Sequence, residues 1–240
     1  MATYVIADIH GDMKAFEKML EKIEFTSGKD FLIVNGDVLD RGDYGLEVLF
    51  LVKDMVDRQD AIFIKGNHEM FAQMFLEGRL TEKDWSRYYG EHTMKSIKKL
   101  DDEKKRELLE YIKKLPLYME LDIPKYKKTV IIHTGLMNDY IVTYDNDKID
   151  VTESIKKACA NDEYSLLISA DIHYWRHEQL EKMDKFIICG HVPTYQLGQE
   201  YTGKILKTRK YMNIDAGAGY RDWGGRLACY SIDEDKEFYV

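Results

Sequence analysis

Side chains that can bind a metal ion follow five short apolar runs along the chain. The segments after these runs read ADIHGD, NGDVLDRGD, KGNHE, IHTGL and CGHVPT, at residues 7–12, 35–43, 65–69, 132–136 and 189–194. They carry two carboxylates, one carboxamide and three imidazoles: Asp8, His10, Asp37, Asn67, His133 and His191. Such donors, without a thiolate, favour Mn²⁺, iron or Zn²⁺. Because six donors exceed one site with an open position, they predict two divalent ions that share a bridging carboxylate, with Mn²⁺ as the first choice.

The spacing of these donors suits ions held close to the backbone. Asp8 and His10 are separated by one residue, so an extended strand end projects both side chains to the same side. Gly36 and Gly66 each stand directly before a donor, where the absence of a Cβ atom allows close approach. Asn67 offers a neutral oxygen, which limits the crowding of negative charge around the ions.

Three other residues in the same segments suit phosphate chemistry. Arg41 carries a planar guanidinium that can contact two oxygens of a phosphate at once. His68 directly follows the donor Asn67, and Asp40 could orient its ring, which makes His68 a candidate general acid for an alkoxide leaving group. The alternative for Asp40 and Arg41 is an ordinary ion pair at the start of a helix.

The apolar runs before the donor segments predict the strands that position them. These runs cover residues 4–7, 31–34, 61–64, 129–132 and 186–189. Each is apolar on both faces, as expected for a buried strand. Helices are predicted between the first three runs, from 13 to 23 with Asp12 as the N-cap and from about 43 to 56. The donors after those runs are about 30 residues apart, the length of a strand–helix–strand crossover.

The rest of the chain completes an α/β (α+β) pattern. The region from about 70 to 115 is predicted to be a helical cap or flank, and the charged stretch near its end is interpreted as a solvated helix face. Residues 117–123 and 126–132 are expected to pair as antiparallel strands. A mixed region of helix and loop follows from about 152 to 184, and three strand-like runs lie between 211 and 240.

Composition and charge limit the class of protein. Of the 240 residues, 45% are apolar and 32% charged, which is typical of a globular protein, and we expect a single domain over residues 1–240. The net charge is −8, from 35 basic and 43 acidic residues. This argues against a basic face that binds nucleic acid. The three cysteines are far apart and no apolar stretch approaches about 18 residues, so we expect a cytoplasmic protein outside the membrane.

The ordered motifs resemble those of the metal-dependent phosphoprotein phosphatases (PPP type), a group within the calcineurin-like metallophosphoesterases. The pattern of that group is G-D-x-H-G, G-D-x-x-D-R-G and G-N-H-E, then a His-Gly and a Gly-His motif. This sequence has D-I-H-G at 8–11, G-D-V-L-D-R-G at 36–42 and G-N-H-E at 66–69, followed by His133-Thr-Gly and Gly190-His191. The segments N-I-D-A-G-A and G-G-R-L, between 213 and 227, resemble the C-terminal strands of compact bacterial and phage members.

The resemblance implies a β-sandwich flanked by helices, with a two-metal site at the strand ends. It implies that one ion is held by Asp8, His10, Asp37 and His191, and that the other draws on Asp37, Asn67, His133 and His191. It further implies that a hydroxide bridging the two ions attacks phosphorus in line.

The resemblance also implies roles around the substrate. Arg41, with Asn67 beside it, would contact the phosphoryl group, and His68 paired with Asp40 would protonate the leaving group. A second arginine in the substrate site of the family has two candidates here, Arg176 next to Trp175 and Arg221.

Three functions are open from the sequence. The main hypothesis is a two-metal hydrolase of phosphate monoesters, acting on phosphoserine or phosphothreonine in proteins or on a small phosphoester. An alternative is a symmetrical bis(nucleosyl)-tetraphosphatase, which shares the core motifs and would differ in the region from 70 to 115 and the loops from 134 to 180. The third is a non-catalytic metal-binding scaffold, which the complete donor set and the presence of His68 argue against.

Overall fold

The computed structural model describes residues 2–240, and its ten strands there form two five-stranded sheets. The strands are β1 Thr3–Ile6, β2 Phe31–Asn35, β3 Ala61–Ile64, β4 Tyr118–Ile123, β5 Lys127–Ile132, β6 Phe186–Cys189, β7 Leu206–Lys207, β8 Tyr211–Asn213, β9 Ala228–Ser231 and β10 Lys236–Tyr239. The strands predicted at the donor segments are confirmed to within two residues at each end. The two-residue strand β7 has no pattern in the sequence that predicts it.

Each sheet contains three adjacent parallel strands and two strands that are joined by antiparallel pairing. The first has the order β10-β9-β1-β2-β3, in which β1, β2 and β3 are parallel. The second has the order β4-β5-β6-β8-β7, in which β5, β6 and β8 are parallel and β4 pairs antiparallel with β5, as predicted. Because parallel strands end at the same edge, each sheet collects its donor segments on one side.

Alternating side chains divide each strand between two apolar layers. Val5 and Ile33 of the first sheet meet Ile131 and Ile188 of the second in the core between the sheets. The intervening residues of β1 and β2 face the helices on the outer side, where they pack around Phe16. This period of two on strands that are buried on both faces explains why the strand sequences are continuously apolar.

Nine α-helices lie among the described residues and cover the outer faces of the sandwich. They are α1 Met13–Lys22, α2 Gly45–Asp57, α3 Asn67–Leu76, α4 Glu82–Ser86, α5 Glu91–Lys98, α6 Asp102–Lys113, α7 Val151–Asn161, α8 Glu163–Ile168 and α9 His177–Leu180. The Asp12 carboxylate caps α1 by accepting from Ala15 N at 3.0 Å, as predicted. Helix α2 begins at Gly45 rather than near residue 43, because Asp40 and Arg41 adopt left-handed conformations and keep the preceding loop out of the helix.

The helices between residues 67 and 113 pack on the outer face of the first sheet. Trp85, Ile97, Leu108 and Ile112 are buried and belong to the same apolar cluster as α1 and α2. The charged residues of α6 lie on its outer face, so the interpretation of the charged stretch as a solvated face is confirmed. The assignment of residues 1–240 to one domain stays a prediction.

The layers are therefore helix, sheet, sheet and helix, the architecture that the sequence predicted. Helices α7 and α8 cover the second sheet through a separate apolar cluster that includes Val130 and Ile187. Cys159, Cys189 and Cys229 are free thiols. Within residues 2–240, none of the helices has both the length and the apolar character that crossing a membrane requires.

Candidate metal centre

The carboxylate of Asp37 lies at the centre of a cluster of imidazoles. Its Oδ2 atom is 3.3 Å from His133 Nε2, 3.8 Å from His68 Nε2 and 3.9 Å from His10 Nε2. Two groups of side chains here have ligand atoms close enough to hold an ion, one with His10, Asp37 and His68 and the other with Asp37, His133 and His191. Asp37 belongs to both groups, which is the position of a bridging carboxylate.

The carboxamide of Asn67 connects the two histidines that come from the second sheet. Its Oδ1 atom lies 3.0 Å from His133 Nε2 and 2.8 Å from His191 Nδ1. Asn67 is the first residue of α3, and Gly66 before it packs so tightly on Asp37 that a side chain there would collide with the carboxylate. The structure thus brings together donors from the ends of β3, β5 and β6.

Asp8 is one of two predicted donors, with His133, that are completely inaccessible to solvent. It is fully buried, and both carboxylate oxygens accept from the backbone N–H of His191, at 3.1 and 3.2 Å. Burial raises the pKa of Asp8 well above its usual value, and the neighbouring Asp215 carboxyl raises it further. A cation beside Asp8 would offset both effects, so its environment fits a metal ligand, although its oxygens lie outside the two close groups around Asp37.

The hydrogen bonds of the histidines test whether the site suits a cation. His10 Nδ1 donates to Leu39 O at 3.0 Å and His133 Nδ1 donates to Asn35 O at 2.9 Å. When these rings are neutral, as metal ligands must be, the bonds at Nδ1 leave each Nε2 with a lone pair facing Asp37 Oδ2. A divalent cation in place of a proton would accept these lone pairs, so the donor set fits a metal ion.

The electrostatics of His133 lead to the same conclusion. Burial lowers the pKa of this imidazole, but the Asp37 carboxylate outweighs that effect, and the pKa is raised to about 10. The neighbouring His191 has its pKa lowered to about 3 by burial and by the charge of His133. Asp37 thus favours a positive charge at His133, while the neighbouring His191 stays neutral, and a metal ion can supply that charge in place of the proton.

The backbone at the candidate centre has unusual conformations. Six residues other than glycine adopt positive φ angles of 50° to 71° there: Asp8, His10, Asp37, Asp40, Arg41 and His191. Such conformations are uncommon for L-residues and persist only where surrounding contacts hold them. They turn successive side chains of each loop toward one point, which an extended strand end could not do.

Glu69 holds two of these loops together and was not identified from the sequence. It is fully buried, and its Oε2 accepts from Asp37 N at 2.8 Å and from Gly66 N at 2.9 Å. Its Oε1 accepts from Val38 N at 3.0 Å and from Leu39 N at 3.3 Å. Burial and the charge of Asp37 raise the pKa of Glu69 to about 6. Its place three residues after Gly66, in a helix-capping position, was the available signal.

His68 and Asp40 form the predicted pair. His68 Nδ1 lies 2.6 Å from Asp40 Oδ2, and both side chains are buried. The same Asp40 oxygen accepts from the indole Nε1 of Trp85 at 2.7 Å. Burial lowers the pKa of His68, but the charge of Asp37 and the hydrogen bond that His68 donates to Asp40 raise it above its usual value overall. His68 is therefore held as a potential acid, with Nε2 directed toward the centre.

Arg41 places unpartnered hydrogen-bond donors beside this pair. Its Nε and Nη1 atoms are buried and find no hydrogen-bond partner among residues 2–240. The guanidinium lies over the ring of Tyr220 at 4.4 Å and that of Tyr89 at 5.5 Å, and the backbone N–H donates to Tyr89 O at 2.9 Å. Buried guanidinium N–H groups that lack an acceptor are suited to a phosphate oxygen.

The two candidates for a second arginine differ in position. Arg221 lines the cavity of about 400 Å³ that also contains His10 and Arg41, and there it forms an ion pair with Asp12 at 2.8 Å. Arg176 is exposed at the N-cap of α9 and does not line this cavity. The structure therefore brings Arg221, but not Arg176, to the side of Arg41.

The fold and the donor cluster define the class of metal-dependent phosphoesterases. The family model for calcineurin-like phosphoesterases matches residues 1–216, so this chain belongs to the calcineurin-like phosphoesterase family. The resemblance noted from the sequence motifs is confirmed.

Curated relatives in this family match about half of the chain. One is a symmetrical bis(5'-nucleosyl)-tetraphosphatase of Coxiella burnetii (strain Dugway 5J108-111), 32% identical over 134 residues, which are 56% of this chain and 42% of the relative. Another, with the same name, from Escherichia coli O1:K1 / APEC, is 35% identical over 136 residues, 57% of this chain and 44% of the relative. The chain thus spans less than half the length of the curated relatives it matches.

Solved structures share the fold at low sequence identity. A serine/threonine phosphatase from Saccharomyces cerevisiae superposes with a TM-score of 0.59 and 18% identity, over 96% of this chain and 72% of that one. A metallophosphoesterase from Sphaerobacter thermophilus gives a TM-score of 0.54 and 17% identity, over 100% and 88% of the two chains. These likenesses confirm the predicted fold class.

Proposed function

We propose that this chain is a two-metal hydrolase that cleaves a dinucleoside polyphosphate. The observation that supports the reaction is the convergence of donor atoms around Asp37 beside the unpartnered guanidinium of Arg41. The proposal for the substrate rests on the curated relatives, whose names specify bis(5'-nucleosyl) tetraphosphates. The sequence hypothesis of a serine/threonine phosphatase has support only from fold-level likeness.

The proposed ligands are those predicted from the sequence: Asp8, His10, Asp37, Asn67, His133 and His191. When bound, two divalent ions supply Lewis acidity to phosphoryl oxygens and lower the pKa of water in the site. Asp37 would serve both ions, and Glu69 holds the loop of Asp37 through the backbone. The identity of the ions is part of the proposal, with Mn²⁺ first and iron or Zn²⁺ as alternatives.

The residues around the ions have separate proposed tasks. Arg41 binds non-bridging oxygens of the phosphate under attack and stabilises the charge that develops on them. His68, oriented by Asp40, donates a proton to the bridging oxygen as the phosphorus–oxygen bond breaks, so that the nucleoside diphosphate leaves protonated. Arg221 and Lys14 line the adjoining cavity, where their positive charges can bind the other phosphates of a polyphosphate chain.

A product analysis tests this proposal. Metal-stripped protein is given Mn²⁺ and incubated separately with diadenosine tetraphosphate, with a phosphoserine peptide and with p-nitrophenyl phosphate. We expect the dinucleotide to be the best substrate by kcat/KM and to give two molecules of ADP. Asp37→Asn should abolish turnover, whereas Asp147→Asn, at a carboxylate that is 73% exposed, should leave it unchanged.

The results separate the hypotheses. A preference for the phosphopeptide would replace the dinucleotide with a phosphoprotein substrate while keeping the same residues. Tight binding of Mn²⁺ without turnover of any of the three compounds would overturn the catalytic proposal in favour of a metal-binding scaffold. Retention of activity in Asp37→Asn would show that the centre around Asp37 is not the active site.

A further inference from the structure

The segment after β8 lies directly against the candidate metal centre. A Cβ atom added to Gly219 would collide with the side chain of Arg41 and would lie 2.9 Å from the ring of His10. Glycine at 219 is therefore required for this segment to contact both residues. The next side chains along it, Tyr220 and Trp223, have no place in the metal chemistry.

Three aromatic side chains, of which Tyr220 contacts Arg41, form a cluster that we term the aromatic platform: Tyr195, Tyr220 and Trp223. The ring of Tyr195 lies 5.5 Å from those of Tyr220 and Trp223, and the rings of Tyr220 and Trp223 are 6.3 Å apart. Tyr195 and Tyr220 are partly buried, whereas Trp223 is 67% exposed. An indole this exposed leaves a large apolar face in water, one ring away from the Tyr220 side chain that contacts Arg41.

The backbone holds the platform in place without a ligand. Gly217 and Gly224 flank the segment with φ angles of +86° and +83°, which side chains would strain. Gly225 N donates to Tyr220 O at 3.2 Å, and Arg226 N donates to Ala216 O at 3.0 Å, which closes the loop. A platform that is formed in advance loses little conformational entropy when a ligand binds.

We propose that the aromatic platform binds a nucleobase of the substrate by stacking on Trp223. The inference rests on the proposed function and deepens it, because it assigns a binding site to the part of the substrate that does not react. Arg41 connects the two parts of the site: its guanidinium lies over Tyr220 and its free N–H groups are available to phosphate. Bases stack on aromatic side chains with little dependence on sequence, so the site would recognise a nucleotide without strict choice of base.

A binding measurement tests the platform without relying on turnover. Trp85 and Trp175 are buried, so the tryptophan emission that responds to an added solute comes mainly from the exposed Trp223. Metal-free protein is titrated with ADP and, as a matched probe without a base, with ribose 5-phosphate. We expect ADP to quench the emission and ribose 5-phosphate to leave it unchanged, and the quenching by ADP to disappear in Trp223→Leu.

A kinetic measurement tests the same site in the metal-loaded enzyme. Trp223→Ala should raise KM for diadenosine tetraphosphate roughly 5- to 100-fold, with little change in kcat. Its kcat/KM for glycerol 2-phosphate, which has no base, should stay within about twofold of the wild type. Trp223→Phe, which keeps a stacking surface, should recover most of the affinity. Phe50→Ala removes a ring that is 43% exposed and outside the platform, and should behave as wild type.

The failure of this inference and the failure of the proposed function give different results. If the wild type does not hydrolyse diadenosine tetraphosphate, the proposed substrate is overturned. The quenching titrations then still show whether the aromatic platform binds a nucleobase. If the wild type hydrolyses it and Trp223→Ala leaves KM unchanged, the platform is overturned and the proposed function stands. Equal quenching by ADP and ribose 5-phosphate would also overturn stacking on Trp223.

Discussion

The two oxygens of the Asp37 carboxylate have different neighbours. Oδ1 accepts from the backbone N–H of His68 at 3.0 Å, whereas Oδ2 faces the three imidazoles. The first contact fixes the carboxylate relative to α3, so the second oxygen is held where two ions could share it. At the residue scale, this division explains how a single carboxylate can be both a structural element and a proposed bridging ligand.

Replacement of His68 tests its proposed role as the acid. His68→Asn should lower kcat for glycerol 2-phosphate, whose alkoxide leaving group must be protonated, by about 10²- to 10⁴-fold, the usual range for loss of a general acid. The effect on p-nitrophenyl phosphate should be much smaller, because its leaving group needs little protonation. Steady-state rates on both substrates measure this difference.

The metal content of the same variant distinguishes an acid from a ligand. His68 Nε2 lies near Asp37, so His68 belongs to one of the two possible ion-binding groups. If His68 is the acid, His68→Asn binds as much Mn²⁺ as the wild type. Loss of one equivalent of Mn²⁺, with equal loss of activity on both substrates, would identify His68 as a ligand instead. His92→Asn, at a histidine that is 54% exposed, is the control.

The pH dependence of the reaction tests the pair of His68 and Asp40. The protonated imidazole is the active form, so kcat should fall as pH rises through the pKa of His68. Burial lowers this pKa, but the charge of Asp37 and the Asp40 hydrogen bond raise it above the usual 6.5 overall. Asp40→Asn removes one of the raising effects, so the descending limb of the kcat profile should move to lower pH. If the descending limb of the kcat profile stays at the same pH in Asp40→Asn, the pairing of Asp40 with His68 is contradicted.

At the scale of elements, the short helix α4 acts on the centre through one side chain. Trp85 is completely buried, its ring packs against Phe75 at 5.1 Å, and its indole N–H reaches Asp40. Thr93 of α5 accepts from Asp40 N at 3.0 Å. The helical region between 67 and 113 therefore supports the proposed acid in addition to covering the first sheet.

Trp85→Phe tests this support. The phenyl ring keeps most of the packing but removes the N–H that donates to Asp40 Oδ2, so that oxygen keeps His68 as its hydrogen-bond donor and should raise the pKa of His68 further. We expect the descending limb of kcat to move to higher pH, opposite to its movement in Asp40→Asn. The free energy of unfolding should fall by about 1–3 kcal/mol, as for other buried polar groups that lose a partner. The pH profile of kcat and the free energy of unfolding are both measured on purified protein.

A second buried tryptophan provides the control. The indole N–H of Trp175 donates to Asn138 Oδ1 at 2.7 Å, outside the centre. Trp175→Phe should therefore cost a similar free energy of unfolding without moving the pH profile. If both variants leave the profile unchanged, α4 has only a structural role.

At the scale of the whole molecule, the proposed ligands come from both sheets. Asp8, Asp37 and Asn67 follow strands of the first sheet, whereas His133 and His191 follow strands of the second. Ions bound between them would link the two halves of the sandwich. Because the unfolded chain lacks this arrangement, bound metal should stabilise the folded state of the entire chain.

Metal removal tests that link. At free Mn²⁺ about 100 times the dissociation constant, one site adds about 2.7 kcal/mol, which raises the melting temperature of a chain this size by roughly 5–10 °C. Scanning calorimetry with Mn²⁺ and with a chelator measures the difference. It should be much reduced in Asp37→Asn and retained in Asp147→Asn. Equal melting temperatures with and without Mn²⁺ in the wild type would contradict metal binding between the sheets.

The sequence by itself determined the strands and was enough to predict the donors. Four-residue apolar runs ending in Asp, His or Asn predicted where the strands stop, and parallel topology brings such ends to one edge. His68, Asp40 and Arg41 were found because each lies within two residues of a donor or in the same loop. These features are local, so spacing along the chain is enough to reveal them.

Only the tertiary structure decided the contacts between distant residues. Trp85 reaches Asp40 across 45 positions, and Glu69 accepts from Asp37 across 32. Tyr220 reaches the site because the segment after β8 packs on Arg41, and nothing near Tyr220 in the sequence indicates that contact. The positive φ angles that aim the donors also depend on these packed surroundings. Such features depend on which side chains of separate layers come into contact. Residue type and spacing along the chain do not indicate those contacts.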